Sequence, residues 1–359
     1  MKKLYANPKR EYPIVLTSSF EALGECILEV IHPSTITVVT DTHVAPLYLE
    51  SVKEKLGAIA PIYTYIFEAG EKSKHLETVM HLYDTLIEHQ VDRSGLIVAL
   101  GGGVVGDLAG FVASSYMRGV PFIQIPTTIV AQNDSSIGGK VGVDYLNHKN
   151  MVGAFYQPKL VYTNINTLKT LPRREFISGL AEVLKHSLVK NPNFYDYLMG
   201  NKDKILTQDE NTLLEMTYES CRIKCSVVEE DAKESNLRRI LNFGHTLGHA
   251  LETVSDFSIL HGECVAYGIV MAAYISYNRG MITVEVLEKV NKLISEYELL
   301  KPLPDFLDEE VLKHVLFDKK KAHGKVAFIL LKAIGEVEIV QDVTEEEMKK
   351  ALIYIKETC

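Results

Sequence analysis

The sequence predicts an α/β protein with a Rossmann-like N-terminal domain on a parallel sheet, followed by a mainly α-helical C-terminal domain. Three observations carry this prediction. Short β-branched runs alternate with helical patterns through the first half, as in a parallel sheet with crossover helices. The strand signal fades after about residue 172, and helical periodicity then dominates from Arg173 to roughly Tyr297. A chain of 359 residues is also too long for one ordinary core, and two domains of roughly 150 to 190 residues are the natural division.

Three buried strands are expected in the first half, at Ile36–Thr40, Leu96–Leu100 and Pro121–Ile125. Each runs into a polar or glycine-rich turn: Asp41-Thr42, Gly101-Gly102-Gly103 and Pro126-Thr127-Thr128. Ligands of open α/β sheets bind outside the carboxyl ends of the strands, so three such edges together sketch a nucleotide crevice. The boundary is expected near Leu171-Pro172-Arg173, where a proline separates the two patterns, giving domains 1–172 and 173–359. In the second domain an apolar helix is expected over Val265–Ala273, short strands at Val326–Leu331 and Val337–Val340, and a closing helix from Thr344 to Ile355. There is no internal repeat and no low-complexity segment.

Composition narrows the function. Apolar residues at 47% and charged residues at 24% are the averages of a soluble globular protein. No apolar run reaches the ~18 residues of a membrane span, and the start, Met1 to Pro8, lacks the apolar core of a secretory signal, so a cytoplasmic protein is expected. Five scattered cysteines (Cys26, Cys221, Cys225, Cys264, Cys359) fit reduced thiols better than a disulfide framework, and the Cys221/Cys225 spacing is explained by a helix surface. A formal charge of -9 argues against nucleic acid as a partner. It does not exclude a small anionic substrate, which responds to the local field of a cleft.

Several segments could do chemistry. Gly101-Gly102-Gly103-Val104-Val105-Gly106 has the G-x-G-x-x-G spacing after a strand and before a helix, where glycines let a pyrophosphate reach backbone N–H groups; otherwise the turn merely packs a helix on a sheet. The usual acid about 20 positions later is missing, and Asp41 could bind a ribose instead. Glu68–Lys74 and Gln132–Lys140 are polar loops in which Asp134 and Lys140 flank Gly138-Gly139 and could meet one anion. Glu182 and Lys185 interrupt an apolar helix, either as an ion pair at its rim or as ligating groups; His186 is a rival ligand. Arg222, Lys224, Arg238 and Arg239 form a cationic patch, either a solvated face or, with Asn242 and His249, an anion pocket.

The run Leu241-Asn242-Phe243-Gly244-His245-Thr246-Leu247-Gly248-His249 sets two imidazoles on one helix face, and His261 follows within His261-Gly262-Glu263. Three imidazoles suit a metal or an anion. Gly244 and Gly248 would let another backbone or a substrate come close. Thr246 stands where a zinc-protease motif needs its general-base glutamate, which argues against peptide hydrolysis by that route.

Taken together, GGGVVGDLAGF, PTT, DSSIGGK, KNMVGAFYQPK, LKTLP, GLAEVLKH, LNFGHTLGHALE and HGE resemble the 3-dehydroquinate synthase family of sugar-phosphate cyclases, over about Asp41 to Lys320. The resemblance implies metal ligands at Glu182, His245 and His261, with His249 on the substrate phosphate. It implies NAD contacts from Asp41, Gly70, Glu71, Lys74, Gly103, Val104, Val105, Gly106, Asp107, Thr127, Thr128, Lys140, Lys149, Thr167, Leu168, Lys169 and Thr170. Substrate contacts would fall on Asp134, Lys140, Asn150, Lys185, Lys224, Arg238, Asn242 and Lys320. Glu234 and His249 would accept protons, in a catalytic group that also takes in Lys140, Lys185, Arg238 and Asn242. Arg118 resembles an arginine that reaches a neighbouring subunit's site, which implies a homodimer. In one departure, Val141 to Lys149 replaces the commoner pattern, which has Asn near position 144 and Gly before the lysine.

The implied reaction converts 3-deoxy-D-arabino-heptulosonate 7-phosphate to 3-dehydroquinate and phosphate by oxidation, β-elimination, reduction, ring opening and aldol closure. It would use NAD catalytically with one divalent metal, zinc or cobalt, in an active site in the cleft between the two domains. The alternatives are a related cyclase of the inosose or valiolone type, a metal-dependent polyol dehydrogenase, and a non-catalytic NAD-binding protein.

Overall fold

The computed structural model describes the chain except for residues 7–11, 147, 232–236, 257, 304–307 and 322–325; side chains of residues 317–321 are also outside the description. It divides into two compact units, Met1–Leu171 with Leu213–Lys233, and Pro172–Thr212 with Glu234–Cys359.

The first unit is built on a seven-stranded sheet of order β1-β2-β9-β6-β5-β3-β4. Its strands are β1 (Lys2–Ala6), β2 (Tyr12–Thr17), β3 (Ile36–Asp41), β4 (Ile62–Phe67), β5 (Leu96–Gly101), β6 (Phe122–Pro126) and β9 (Val161–Asn164). Only the β1–β2 pair is antiparallel. The expected strands are β3, β5 and β6, neighbours at the centre of the sheet and buried along their whole length, as continuous apolar runs require in a parallel sheet covered on both faces. Alternate residues serve opposite faces. Ile36, Val38 and Val98 pack with Leu23 and Ile27 of α1 (Leu23–Leu28) and Val52 and Leu56 of α2 (Glu50–Leu56). Val39, Ile97 and Ala99 pack with Leu82 and Leu86 of α3 (Leu76–Glu88) and Leu108 and Val112 of α4 (Gly103–Ser115).

The segment where the sequence departs from the family pattern falls, in its described residues 141–146 and 148–149, in a separate antiparallel hairpin of β7 (Lys140–Tyr145) and β8 (His148–Phe155). Gly142 faces Gly153 across it, and a Cβ on Gly153 would stand 2.5 Å from the carbonyl of Val141. Only glycine lets these strands approach so closely.

The second unit is mainly helical, with α5 (Arg173–Lys190), α6 (Pro192–Leu206), α8 (His245–Val254), α9 (His261–Asn278), α10 (Val284–Glu296), α11 (Asp308–Lys321) and α12 (Glu345–Thr358). The hairpin of β10 (Phe328–Ala333) and β11 (Glu336–Val340) supplies the two late strands. α9 is buried almost all round, which suits its long apolar run, and α5 is buried from Phe176 to Val189 although it carries Glu182, Lys185 and His186. α6 starts on Asn191, whose side chain accepts from the backbone N–H groups of Asn193 and Phe194, with Pro192 in its first turn. α12 starts on a capping box of Thr344 and Glu347.

Most of α7 (Glu210–Glu230) belongs to the first unit. Cys221 and Cys225 lie one turn apart on it, the helical spacing expected of them. Both are buried in a cluster with Leu4, Tyr12, Ile14 and Val161, and Cys221 Sγ donates to the carbonyl of Gln132 at 3.3 Å. An apolar environment favours the neutral thiol, and burial pushes the Cys225 thiol up to about 12.

Candidate active site

Three close helix contacts in the second unit build a cluster of one carboxylate and three imidazoles. A Cβ on Gly268 of α9 would lie 1.8 Å from the carbonyl oxygen of Gly244, and one on Gly248 of α8 would lie 2.8 Å from that of Cys264. Gly244 itself has φ +81°, a left-handed conformation that lets the chain turn into α8. At the start of α9, a Cβ on Gly262 would lie 1.8 Å from the carbonyl of Ser178 on α5. The glycines beside the histidines therefore admit a neighbouring backbone, one of the two uses expected of them.

These contacts bring together Glu182 of α5, His245 and His249 of α8, and His261 at the first turn of α9. The Nε2 atoms of His245 and His261 each stand 3.4 Å from the same Glu182 oxygen, Oε1. One ligand atom from each of His245, His249 and His261 also lies within 4.8 Å of the others. The other Glu182 oxygen accepts from Lys185 Nζ. This pair is fully buried rather than at a helix rim, with side chains 1% and 2% exposed.

The spacing fits a divalent cation. Two ligand atoms at the usual 2.0–2.1 Å from a tetrahedral zinc are about 3.3 Å apart. The tautomers fit as well: His245 Nδ1 lies 3.1 Å from the carbonyl of Phe243, which can only accept, so this nitrogen is the donor and Nε2 carries the lone pair. His261 Nδ1 lies 3.3 Å from Glu252 Oε2. Glu182, His245 and His261 leave a fourth position open, whereas adding His249 would close the shell, and a reactive metal needs an open position.

Charge follows the same geometry. Burial disfavours ionisation of Glu182, but Lys185 and His245 beside it hold the carboxyl well below its ordinary range. Burial lowers His245, and the Lys185 ammonium lowers it further. The His249 imidazole is lowered from its ordinary range by partial loss of solvation and by the neighbouring His245 and His261. Burial would lower His261 too, but hydrogen bonds to Glu182 and Glu252 outweigh it and raise the ring to about 9.

Other expected site residues of this unit are placed separately. Arg238 is buried and Asn242 exposed within the short turn Leu237–Asn242 that leads to α8. Glu234 lies outside the described residues, as does the side chain of Lys320 on α11.

In the first unit the carboxyl ends of β3, β5 and β6 lie side by side. Asp41 closes β3, where Oδ1 accepts from the backbone N–H groups of His43 and Val44, both at 2.9 Å. Gly102 and Gly103 turn β5 into α4, whose first turn has no side-chain cap. A Cβ on Gly106 would meet Gln124 Oε1 at 2.6 Å, so this glycine serves the packing of helix on sheet. Val105 is buried with it, while Val104 and Asp107 keep partial exposure. Thr127 Oγ1, after β6, is buried and has no hydrogen-bond partner among the described residues. Thr128 Oγ1 accepts from Ala131 N.

A second group gathers around Lys74, which is buried. Its Nζ lies 2.7 Å from Asp107 Oδ2, 2.5 Å from Asn150 Oδ1 and 3.9 Å from Glu71 Oε1. Burial opposes both charges, and the Asp107 carboxylate outweighs it at Lys74, whose pKa is raised. Gly70, at φ +113°, begins this turn in a conformation that suits glycine. Asn150, expected on the substrate, here contacts Lys74, and its N–H donates to Asp144 at 2.7 Å. Asp144 also ties the hairpin to the Lys74 turn, its own N–H donating to the carbonyl of Lys74 at 2.8 Å.

Asp134 and Lys224 form a further pair, Nζ lying 2.6 Å from both the Asp134 carbonyl and its carboxylate. Lys140 and Lys149 are exposed on the hairpin. Thr167 and Leu168 are buried in the turn Ile165–Thr170, while Lys169 and Thr170 are exposed. Met117 and Arg118 both adopt left-handed backbone, at φ +49° and +69°, and both are exposed. Two residues were missed in the sequence. Glu252 shares the α8 face of His245 and His249 at helical spacing, a signal that could have found it; Asp144 carried no such signal.

The same architecture recurs in solved enzymes. A 2-epi-5-epi-valiolone synthase from Streptomyces hygroscopicus subsp. jinggangensis, solved with NAD+ and Zn2+ bound, superposes with TM-score 0.89 at 27% identity, over 100% of this chain and 99% of that one. A 2-deoxy-scyllo-inosose synthase complexed with carbaglucose-6-phosphate, NAD+ and Co2+ gives 0.86 at 26%, over 99% of each. The fold is thus that of the sugar-phosphate cyclases. Within that class, residues 64–178 match the family model of the 3-dehydroquinate synthase N-terminal region and residues 179–321 that of its C-terminal region. A 3-dehydroquinate synthase of Ruminiclostridium cellulolyticum is 44% identical over 346 residues, 96% of each chain. The chain belongs to the 3-dehydroquinate synthase family.

Proposed function

We propose that this chain converts 3-deoxy-D-arabino-heptulosonate 7-phosphate to 3-dehydroquinate and inorganic phosphate, with NAD and one divalent cation, zinc or cobalt, as cofactors. The observation that carries the reading is the shared Glu182 oxygen, 3.4 Å from two imidazole nitrogens, in a chain of this family. The first unit binds NAD and the second holds the cation through Glu182, His245 and His261. When bound, NAD takes and returns a hydride while the cation polarises the oxygen being oxidised, which acidifies the neighbouring C–H.

The chain's own residues supply orientation and charge. Lys185 keeps Glu182 ionised, so the carboxylate is ready for the cation. His249, exposed beside the cluster, offers a ring nitrogen as proton acceptor; Glu234 is the second acceptor. Lys140, Asn150, Lys224, Arg238, Asn242 and Lys320 hold the carboxylate, hydroxyls and phosphate of the substrate, with Asp134, so that the leaving charge meets fixed cations. The orphaned hydroxyl of Thr127 and the uncapped first turn of α4 supply polar groups for the cofactor.

The enzyme works as a cytoplasmic homodimer. Four of its five cysteines are buried and none forms a disulfide, which suits a reducing compartment. Met80 and Ile87, 62% exposed each and seven residues apart on α3, offer an apolar stripe for a partner, and the strained, exposed Arg118 supports a residue that reaches outward. No described helix is long and apolar enough to cross a membrane.

The test is incubation of the purified protein with NAD, zinc or cobalt, and the heptulosonate phosphate. Stoichiometric phosphate release without net NADH is expected. Turnover of a hexose phosphate or heptulose phosphate instead would select the inosose or valiolone type, and accumulating NADH would select a dehydrogenase. Sedimentation equilibrium reads the dimer.

A further inference from the structure

We infer that Glu252 is a positioning residue for the cation site: its buried carboxylate holds the His261 ring so that Nε2 faces Glu182. The inference rests on the reading that this cluster binds a divalent cation.

The two histidine ligands are anchored differently. The side chain of His245 is 13% exposed, and its Nδ1 is held at 3.1 Å by the carbonyl of Phe243, a main-chain atom fixed by the turn itself. The His261 side chain is 37% exposed at the first turn of its helix, where surrounding atoms constrain it less. A histidine ring turns about a broad torsional minimum, so a ligand in such a place needs a second contact to fix its plane. Glu252 supplies it: the residue is only 6% exposed, and its Oε2 lies 3.3 Å from His261 Nδ1, while the opposite nitrogen stands 3.4 Å from Glu182.

The location of Glu252 is as informative as the distance. It lies on α8, on the face that carries His245 and His249, so the helix that supplies one ligand also orients the ligand supplied by α9. A carboxylate acceptor also strengthens the donor power of the imidazole toward a metal more than a carbonyl does. One oxygen on each side of the ring, from Glu252 and Glu182, thus sets both its tautomer and its direction.

The test compares the wild-type apoprotein with Glu252→Ala and Glu252→Gln. Zinc affinity is measured by chelator competition, and the visible absorption of added Co2+ reports ligand geometry. The Ala variant is expected to bind zinc about 10–100-fold more weakly, as is usual when the outer partner of a ligating histidine is lost. Its Co2+ spectrum should differ from that of the wild type. The Gln variant retains volume and an acceptor oxygen, so it should recover part of the affinity; it also carries the comparison if the Ala variant does not fold. Wild-type zinc affinity and Co2+ spectra in both variants would overturn this inference alone. A wild-type protein that binds neither ion would overturn the proposed function with it.

Discussion

Glu182 and Lys185 lie one turn apart on α5 and form an ion pair wholly inside the helical unit. One oxygen of the carboxylate takes the ammonium, and the other faces two imidazoles. Removing one member of a buried pair leaves the other uncompensated and costs about 3–5 kcal/mol. Lys185→Met should therefore lower the urea unfolding free energy of the metal-free protein by that amount. An unchanged midpoint would show that the pair contributes nothing to the fold.

Loss of a ligand and loss of a proton acceptor should separate. Glu182→Ala, His245→Ala and His261→Ala are expected to purify without stoichiometric cation by elemental analysis. His249→Ala should retain it and release phosphate more slowly. Loss of metal from the His249 variant would move that residue into the ligand set, which its place within 4.8 Å of the other imidazoles allows geometrically.

The approach of α8 to α9 depends on a glycine that meets backbone, not a flexible side chain. The Cβ of Gly268→Ala would stand 1.8 Å from the carbonyl oxygen of Gly244, so the helices must separate. Overpacking typically costs about 1–3 kcal/mol, occasionally more. Thermal unfolding and metal content should fall together; a variant with wild-type metal content would show that the cluster tolerates the shift.

Acid should weaken the seat of α12. Arg279 hydrogen-bonds Glu347 at 2.5 and 3.0 Å, and this contact, with the Thr344 cap, brings the carboxyl down to about 2 from its ordinary 4.5. A folded pKa below the unfolded value stabilises the protein above the unfolded pKa, and that stabilisation is lost as pH falls toward the folded one. The urea midpoint of the wild type should therefore exceed that of Glu347→Gln at pH 6, and the gap should shrink between about pH 4.5 and 2. A gap independent of pH would assign the effect to packing.

In the first unit the strands legible in the sequence were β3, β5 and β6, whose burial on both faces leaves a plain apolar run; in the second, β10 and β11 were legible as well. The edge strand β4 and the four-residue β9 escaped notice, since one is half exposed and the other too short to show a period. The β7–β8 hairpin escaped too. Its pairing turns on the contact of Gly142 with Gly153, and a glycine does not announce its cross-strand partner. The Lys74 group was legible only in part: its members were named through the family resemblance, but the bond from Lys74 to Asn150 and the anchoring role of Asp144 were not.

The sequence by itself determined the class of fold, the order of its motifs and the residue types able to bind a cation, because apolar period and side-chain chemistry are local properties. Tertiary structure alone decided that Cys221 and Cys225 face a core containing Tyr12, that a glycine contact carries His261 to Glu182, and that Glu252 stands behind it. A helix pattern states which face must be covered; what covers it depends on segments distant in the chain, whose approach is limited by atoms only a few tenths of an ångström too large or small.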